Sequence, residues 1–446
     1  MVATTGTPAA QGSRPDPDAD DGDAEQSAAG TDSRRARLSR AGAARSIVLV
    51  VAVVTTVLKI LVAANTYGTN DVGYWLIFTQ GVRDYGPIGI YGADLGRALY
   101  NHPPLTSYLL VVVNWLVDHG AGGVPFLIRV PASLADVVTA VVVFELVRRW
   151  RGRLAEATAA GLLVAASPVL FVISGFHGNT DPVFVMFTLL SVYLLTAHRS
   201  TLTAALAGMA YAAAVSVKLV PVMLLPVLLF AALRSGWRRA VAFLAASGAF
   251  MLVVWAPVLP KWHEFSEKVL GYEGIRVREW GLVQFAKWLE FPEVAEFLIG
   301  PGRFIALLVC AALPVLLLWR RPEALGAAVA LALALFLLVS PAYGMQYLVW
   351  PLAAAYLVNF WAATVFNVVA TGFVVTVYDR WNSAYPWNWN VAKAVPFDSP
   401  RLFFMAVVTW QALAAVVIAG LWLLRRPGAV ASDDSVAPAD SRNALS

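Results

Sequence analysis

Apolar runs recur along this chain from Ile47 to Leu424, separated by short stretches that hold most of its arginine and lysine. A helix of roughly 20 apolar residues is long enough to cross the hydrocarbon core of a bilayer. The pattern therefore predicts an all-α polytopic membrane protein with about twelve transmembrane helices. The first span is expected over 46–64 and the second over 130–147. Between them, 65–129 reads as one large loop. It holds an amphipathic helix near 71–84 and an apolar run at 104–117, whose length suits a re-entrant or interfacial helix. Further spans are expected over 154–173 and 182–197, and in stretches ending at Lys218, Arg234, Pro257, Arg320 and Ser340. A hairpin of two spans is expected over 345–378, turning near 359–367, and a last span over 402–424.

The basic clusters orient this threading. Arg34-Arg35-Ala36-Arg37, Arg148-Arg149-Trp150-Arg151, Arg234 with Arg238-Arg239, Arg320-Arg321 and Arg425-Arg426 all fall on one side. By the positive-inside rule that side is cytoplasmic, both chain ends lie there, and the large first loop lies outside. A multi-pass protein of the plasma membrane is expected. Residues 1–45 and 425–446 are small and polar, and read as disordered cytoplasmic tails flanking a membrane domain over 46–424.

Composition narrows the function classes. Of 446 residues, 59% are hydrophobic and only 14% charged, which excludes a soluble enzyme. The net charge of +5 comes from short linkers, so the basic clusters are topology signals and no nucleic-acid partner is expected. The single cysteine, Cys310, lies in an apolar run and allows no intrachain disulfide.

On this threading nearly every unusual polar residue falls on the external side: Asn70-Asp71, Asp84, Asn101-His102, Arg129, His177, Asn179, Asp181, Lys218, Tyr343 and Gln346. Ionisable residues at the membrane suggest function. Their gathering at one face points to an interfacial site, whereas a transporter places its site at the midplane. Asp71 opens the loop helix, so it is either a helix cap or, if Asn70 caps, free for acid–base work. His102 precedes Pro103-Pro104 as a solvated flank or a site residue. In Gly178-Asn179-Thr180-Asp181-Pro182, turn formation explains Asn179 and Asp181, but a tight turn rarely needs His177 as well. Lys218 breaks an apolar run on the side poor in positive charge; it either snorkels or meets a bound anion. Lys59 reads as a packing residue, and Asp136 and Glu145 as structural partners for Arg129 or Lys59. No nucleotide-binding or zinc motif is present; His177, His102 and the aspartates are residue types that bind a divalent metal, but no ligand spacing supports such a site and no cofactor is assigned.

In order, Asp71, the Tyr100–Thr106 segment, Gly178-Asn179-Thr180-Asp181 and Lys218-Leu219-Val220-Pro221 resemble the C-type glycosyltransferases that use lipid phosphosugars. The groups most similar are the bacterial polyprenol-phosphate-mannose-dependent mannosyltransferases and the glycolipid-anchor mannosyltransferase I. Tyr343 to Gln346-Tyr347 resembles a further element. The resemblance covers 46–424 in layout; it departs from a strict Asp-x-Asp metal motif at Asn179. It implies a polyprenyl-phosphate sugar donor, mannose above others, and a glycolipid or polysaccharide acceptor outside the membrane. It implies inversion, with Asp71 as general base and Lys218, with Arg129, on the donor phosphate. Asn70, His102, His177, Asn179, Asp181, Tyr343 and Gln346 would hold the substrates. A transporter or flippase of lipid-linked sugars is the alternative, and a scaffold subunit of an envelope machine a third.

Overall fold

A computed structural model describes residues 21–96, 98–272, 280–341, 344–381 and 400–425. Among them the protein is helical without strands, an all-α polytopic membrane protein. Contacts divide the chain into 1–47 and 48–446, and the second unit holds the helix bundle and every site residue. The helices used below are α1 (Asp21–Asn65), α2 (Asn70–Gly89), α3 (Pro104–Asp118), α4 (Val130–Arg151), α5 (Leu154–Ala165) and α6 (Pro168–Val172). They continue as α7 (Asp181–Ala197), α8 (Thr201–Val217), α9 (Leu225–Arg234), α10 (Trp237–Trp255), α11 (Gly302–Arg320) and α12 (Leu325–Leu338). The last two are α13 (Phe360–Trp381) and α14 (Pro400–Trp422).

Among the described residues, seven helical stretches are long and apolar enough to cross a membrane: Ser39–Asn65, Val124–Arg151, Leu154–His177, Trp237–Leu270, Gly302–Arg320, Phe360–Tyr378 and Pro400–Trp422. Four shorter apolar helices, Asp181–Ala197, Thr201–Val217, Val220–Arg234 and Leu325–Leu338, occupy stretches expected as spans. The fifth, Pro104–Asp118, is the short helix expected inside the first loop. The expected hairpin over 345–378 turns at Val358–Asn359. Its first arm is a chain of short helical turns (Met345–Leu348, Val349–Leu352 and Ala354–Leu357) and its second arm is α13. One expectation differs at the N-terminus. Helix begins at Asp21, well inside the stretch read as disordered, because Ala, Glu and Arg there are good helix formers. The C-terminal tail beyond Arg425 lies outside the described residues.

α1 shows how the bundle is assembled. Val48, Ala52, Thr56, Lys59 and Ala63 are buried at helical spacing, while Val50, Val53, Val54, Val57, Leu58 and Leu61 are exposed. Small and polar residues thus face the protein and large apolar ones face lipid, as expected where lipid supplies no hydrophobic drive between helices. Two hydroxyls fasten that face: Thr55 donates to the Ala165 carbonyl at 2.9 Å and Thr56 to the Ser133 carbonyl at 3.1 Å. Lys59 completes it, its ammonium 2.6 Å from Asp136 on α4, with the Ser174 hydroxyl donating to the same carboxylate oxygen at 2.6 Å. Glu145 pairs with its neighbour Arg148 at 2.7 Å.

The helix ends sort into two levels. At one, Arg239 donates to the carbonyls of Leu195 and His198, Arg320 to that of Leu424, and Arg321 lies over Trp150. At the other, the first loop forms its own core. Trp75, Phe78, Tyr91, Tyr100 and Leu110 pack with Val258, Phe265 and Val269 from the segment after α10.

Removing one partner of a buried ion pair leaves an uncompensated charge and costs about 3–5 kcal/mol. Lys59→Met and Asp136→Leu should each lower thermal stability of the detergent-solubilised protein strongly. The double variant should recover most of the loss in the same scan.

Candidate functional site

The site forms where the start of the first loop meets the turn after α6. Ser167 caps that short helix and Pro168 opens it; the chain then loosens into a π-helical turn, Ile173–His177. Gly178 follows with φ +83°, which L side chains rarely adopt, and a Cβ there would stand 2.5 Å from the Val72 side chain. Gly68, with φ +99°, meets the same valine from the other side. These two glycines let the loop strand and the turn close on Val72. Two hydrogen bonds then hold them: Thr69 donates to the His177 carbonyl at 2.8 Å and Trp75 to the Gly178 carbonyl at 2.7 Å.

This closure brings Asp71 to His177, whose Nε2 lies 2.9 Å from the Asp71 carboxylate. The cap of α2 is Thr69, whose hydroxyl accepts from the Asp71 N–H at 3.3 Å. Neither Asp71 nor Asn70, the two residues weighed as caps, fills that place, and Asn70 is exposed at the first helical position. Burial by itself raises the Asp71 carboxyl. His177, through its charge and hydrogen bond, then Lys218 and His102, outweigh burial and hold it below the usual carboxylate value. About 35% of the side chain stays open, so this carboxylate is both ionised and reachable.

His177 itself is 3% exposed, and its other ring nitrogen, Nδ1, is hydrogen-bonded to the Tyr378 hydroxyl. Both nitrogens are occupied, so the imidazole, expected among the substrate contacts, here bridges Asp71 and Tyr378. Tyr378 on α13 was not foreseen, since a tyrosine near the end of an apolar run has an ordinary place at a membrane interface.

Lys218 caps the end of α8 and is ion-paired with Asp181. Its ammonium also lies over the rings of Tyr347 at 4.6 Å and Trp350 at 5.3 Å. Asp181 is fully buried, with one oxygen on Lys218 and the other accepting from the Trp350 indole at 2.9 Å. Asp181, expected among the substrate contacts, thus positions the lysine in this structure. Asn179 accepts the Asp181 N–H at 2.7 Å, closing the turn that places it. Of these partners Trp350 was missed by the sequence reading, because aromatics are common in any membrane run. Gln346 is half-buried beside Tyr347. Tyr343 lies outside the described residues.

Arg129, expected on the donor phosphate, is engaged by backbone groups. It is fully buried, and its Nε donates to the Pro125 carbonyl at 2.6 Å. Nη2 donates to the carbonyls of Ala63 and Thr66; Nη1 donates to the Thr66 hydroxyl and the Gly175 carbonyl. With its donors all engaged, the guanidinium clamps the end of α1 to the turn before His177 and offers nothing to a phosphate.

His102 stacks on Trp75, ring centroids 4.6 Å apart, and touches Phe78 and Tyr100. Burial and then the nearby Lys218 charge push its pKa down to about 3, so the ring is neutral at physiological pH. Among the described residues no three His, Cys, Asp or Glu side chains gather as a metal-ligating group. Beside the Asp181–Lys218 pair lies an apolar cavity of about 280 Å³, lined by Leu105, Tyr108, Val112, Val183, Phe187 and the chain neighbours of the pair, Thr180 and Val217.

Comparison with known proteins agrees with this architecture. Residues 101–261 match the family model described as dolichyl-phosphate-mannose-protein mannosyltransferase. That stretch holds His102, Arg129, His177, Asn179, Asp181 and Lys218; Asp71 lies before it. Among solved structures, the chain is similar to ArnT from Cupriavidus metallidurans, crystallised bound to undecaprenyl phosphate. The two are 18% identical with a TM-score of 0.50, over 85% of this chain and 75% of that one. The chain thus shares its fold with ArnT. No curated protein sequence matches.

Arg129→Met should leave several buried carbonyls without donors, at about 1–3 kcal/mol for each one left unsatisfied. A large drop in thermal stability is expected, and a neutral result would show the clamp to be dispensable.

Proposed function

We propose that this protein is an inverting membrane glycosyltransferase of the plasma membrane. It moves one sugar, mannose in our reading, from a polyprenyl-phosphate donor to a glycolipid or polysaccharide acceptor on the extracytoplasmic face. One observation carries the reading: an ionised, partly open carboxylate, Asp71, stands within electrostatic reach of an aromatic-walled ammonium, Lys218, at the bundle end away from the arginine clusters. The family match and the fold support a lipid-phosphate donor. The positive-inside rule supports the sidedness.

The chemistry follows from the charges. The acceptor hydroxyl oxygen attacks the anomeric carbon while Asp71 takes its proton. The bond from that carbon to the phosphate oxygen breaks, and the phosphate leaves with the electron pair. A phosphate is stable as an anion, so no strong general acid is needed. Lys218 stabilises the charge that develops on it. His102, neutral and stacked at the rim, offers a ring nitrogen to a sugar hydroxyl, and Gln346 and Asn70 remain proposed substrate contacts. The apolar cavity beside Asp181 and Lys218 would take the first isoprene units of the carrier.

Three outcomes test this with a labelled polyprenyl-phosphate mannose, following release of polyprenyl phosphate. Asp71→Asn should abolish release in a protein that still folds; normal turnover would remove Asp71 as the base. Lys218→Ala should lower kcat/KM for the donor about a hundredfold, roughly 2.7 kcal/mol. Because it also strands the Asp181 charge, it is compared with Lys218→Ala/Asp181→Asn, which should be as inactive but more stable. Val183→Trp, which fills the cavity, should raise the donor KM and leave kcat little changed.

A further inference from the structure

Three side chains from three distant parts of the chain stand in line at the site: Asp71 at the start of α2, His177 in the π-helical turn, and Tyr378 on α13. We propose that Tyr378 is a positioning residue that acts through His177, holding the imidazole so that its Nε2–H stays on Asp71 and keeps that carboxylate ionised. The inference rests on the reading of Asp71 as base, and adds the device that prepares it.

The geometry leaves the imidazole no other support. The ring is 3% exposed, so water does not serve Nδ1; the Tyr378 hydroxyl, itself on a residue 1% exposed, does. A phenol hydroxyl can donate to a neutral ring or accept from an imidazolium. In either state it satisfies the far nitrogen while Nε2 keeps its proton toward the carboxylate. The phenol ring is fixed in turn by an edge contact with Phe176, centroids 5.6 Å apart at 79°. The groups that bear on Asp71 are His177 from the turn, Lys218 at the end of α8 and His102 before α3. Lys218 is already paired with Asp181, and His102 is neutral at physiological pH. His177 is therefore the group whose state governs Asp71. If the tyrosine hydroxyl is lost, the buried Nδ1 loses its hydrogen-bond partner, and the ring loses the contact that fixes its tautomer and its aim at Asp71. Both changes weaken the hold on the Asp71 charge, so its pKa rises.

Carbodiimide labelling tests this without relying on turnover, because the reagent attacks protonated carboxyls and Asp71 is partly open. The full-length protein in detergent is labelled with dicyclohexylcarbodiimide over a pH series, and modification of the Asp71 peptide is read by mass spectrometry. Tyr378→Phe keeps the ring packing and removes only the hydroxyl. It should move the labelling curve up by about one pH unit, a tenfold gain in labelling at a fixed pH above the wild-type midpoint. Release of polyprenyl phosphate should lose activity with the same shift of its acid limb, while the donor KM is unchanged. His177→Gln should raise the curve as well, and Tyr378→Phe added to it should then change nothing further, the signature of action through one intermediary. A Tyr378→Phe curve that superimposes on wild type overturns the inference, as does a further shift in the His177→Gln background. Failure of the catalytic reading looks different: Asp71→Asn would turn over normally whatever the labelling shows.

Discussion

The guanidinium of Arg129 is the constraint from which the site's geometry descends. A planar group with fixed donor directions can satisfy carbonyls arriving from several segments only if those segments hold a set spacing. Here the carbonyls come from the end of α1, from Pro125 and from the turn before His177. These backbone groups lie where chain leaves a helix, and without a donor they would be unsatisfied in a dry environment. The same contacts therefore tie the end of α1 to the turn Ile173–His177 and set how close the first loop comes to it. Val72 fills the gap only because Gly68 and Gly178 carry no Cβ.

Charge at the site is balanced internally in two separate pairs, each with a third group that fixes its orientation. Asp71 has His177 with Tyr378, and Lys218 has Asp181 with Trp350. The pairs differ in which partner stays open. In one the carboxylate is reachable and the imidazole is buried; in the other the ammonium keeps 20% exposure while the carboxylate has none. A buried ion couple that leaves one member half-presented keeps opposite charges available without two bare ions in a desolvated place. The aromatic walls around Lys218 add a face that holds a cation without consuming its N–H donors.

Much of this was legible in the sequence, for definable reasons. Apolar run length located the apolar helices, the loop helix and the short helix at 104–117, because bilayer thickness imposes a length on a crossing segment. Asp71 and Lys218 stood out because each is an ion where the surrounding pattern supplies no reason for one. The protein contacts of Arg129, His177 and Asp181 were not legible, for one shared reason. A polar residue at a membrane face looks the same in sequence whether it meets substrate or backbone, and only the path of neighbouring carbonyls and carboxylates decides. Tyr378 and Trp350 were invisible because their polar atoms matter through partners some 200 and 169 positions away in the chain. The helical start at Asp21 was missed because a polar, alanine-rich stretch fits either helix or disorder in composition alone.

The Lys59–Asp136 pair also has a consequence for how the chain enters the membrane. The two residues are 77 positions apart, so α1 leaves the ribosome and meets the translocon with an unpaired lysine before α4 has been made. A lysine near the middle of a helix opposes insertion by roughly 2.5–3.5 kcal/mol on insertion scales. The most apolar 18-residue stretch of Ser39–Asn65 compensates with a mean hydropathy of 2.8, the highest among the seven long helices of the described residues. Its excess of valine and leucine is a requirement of the order of synthesis as much as of the finished bundle. The arrival of Asp136 then gives the waiting ammonium a partner, and the first span gains its rotational setting only when the second is in place.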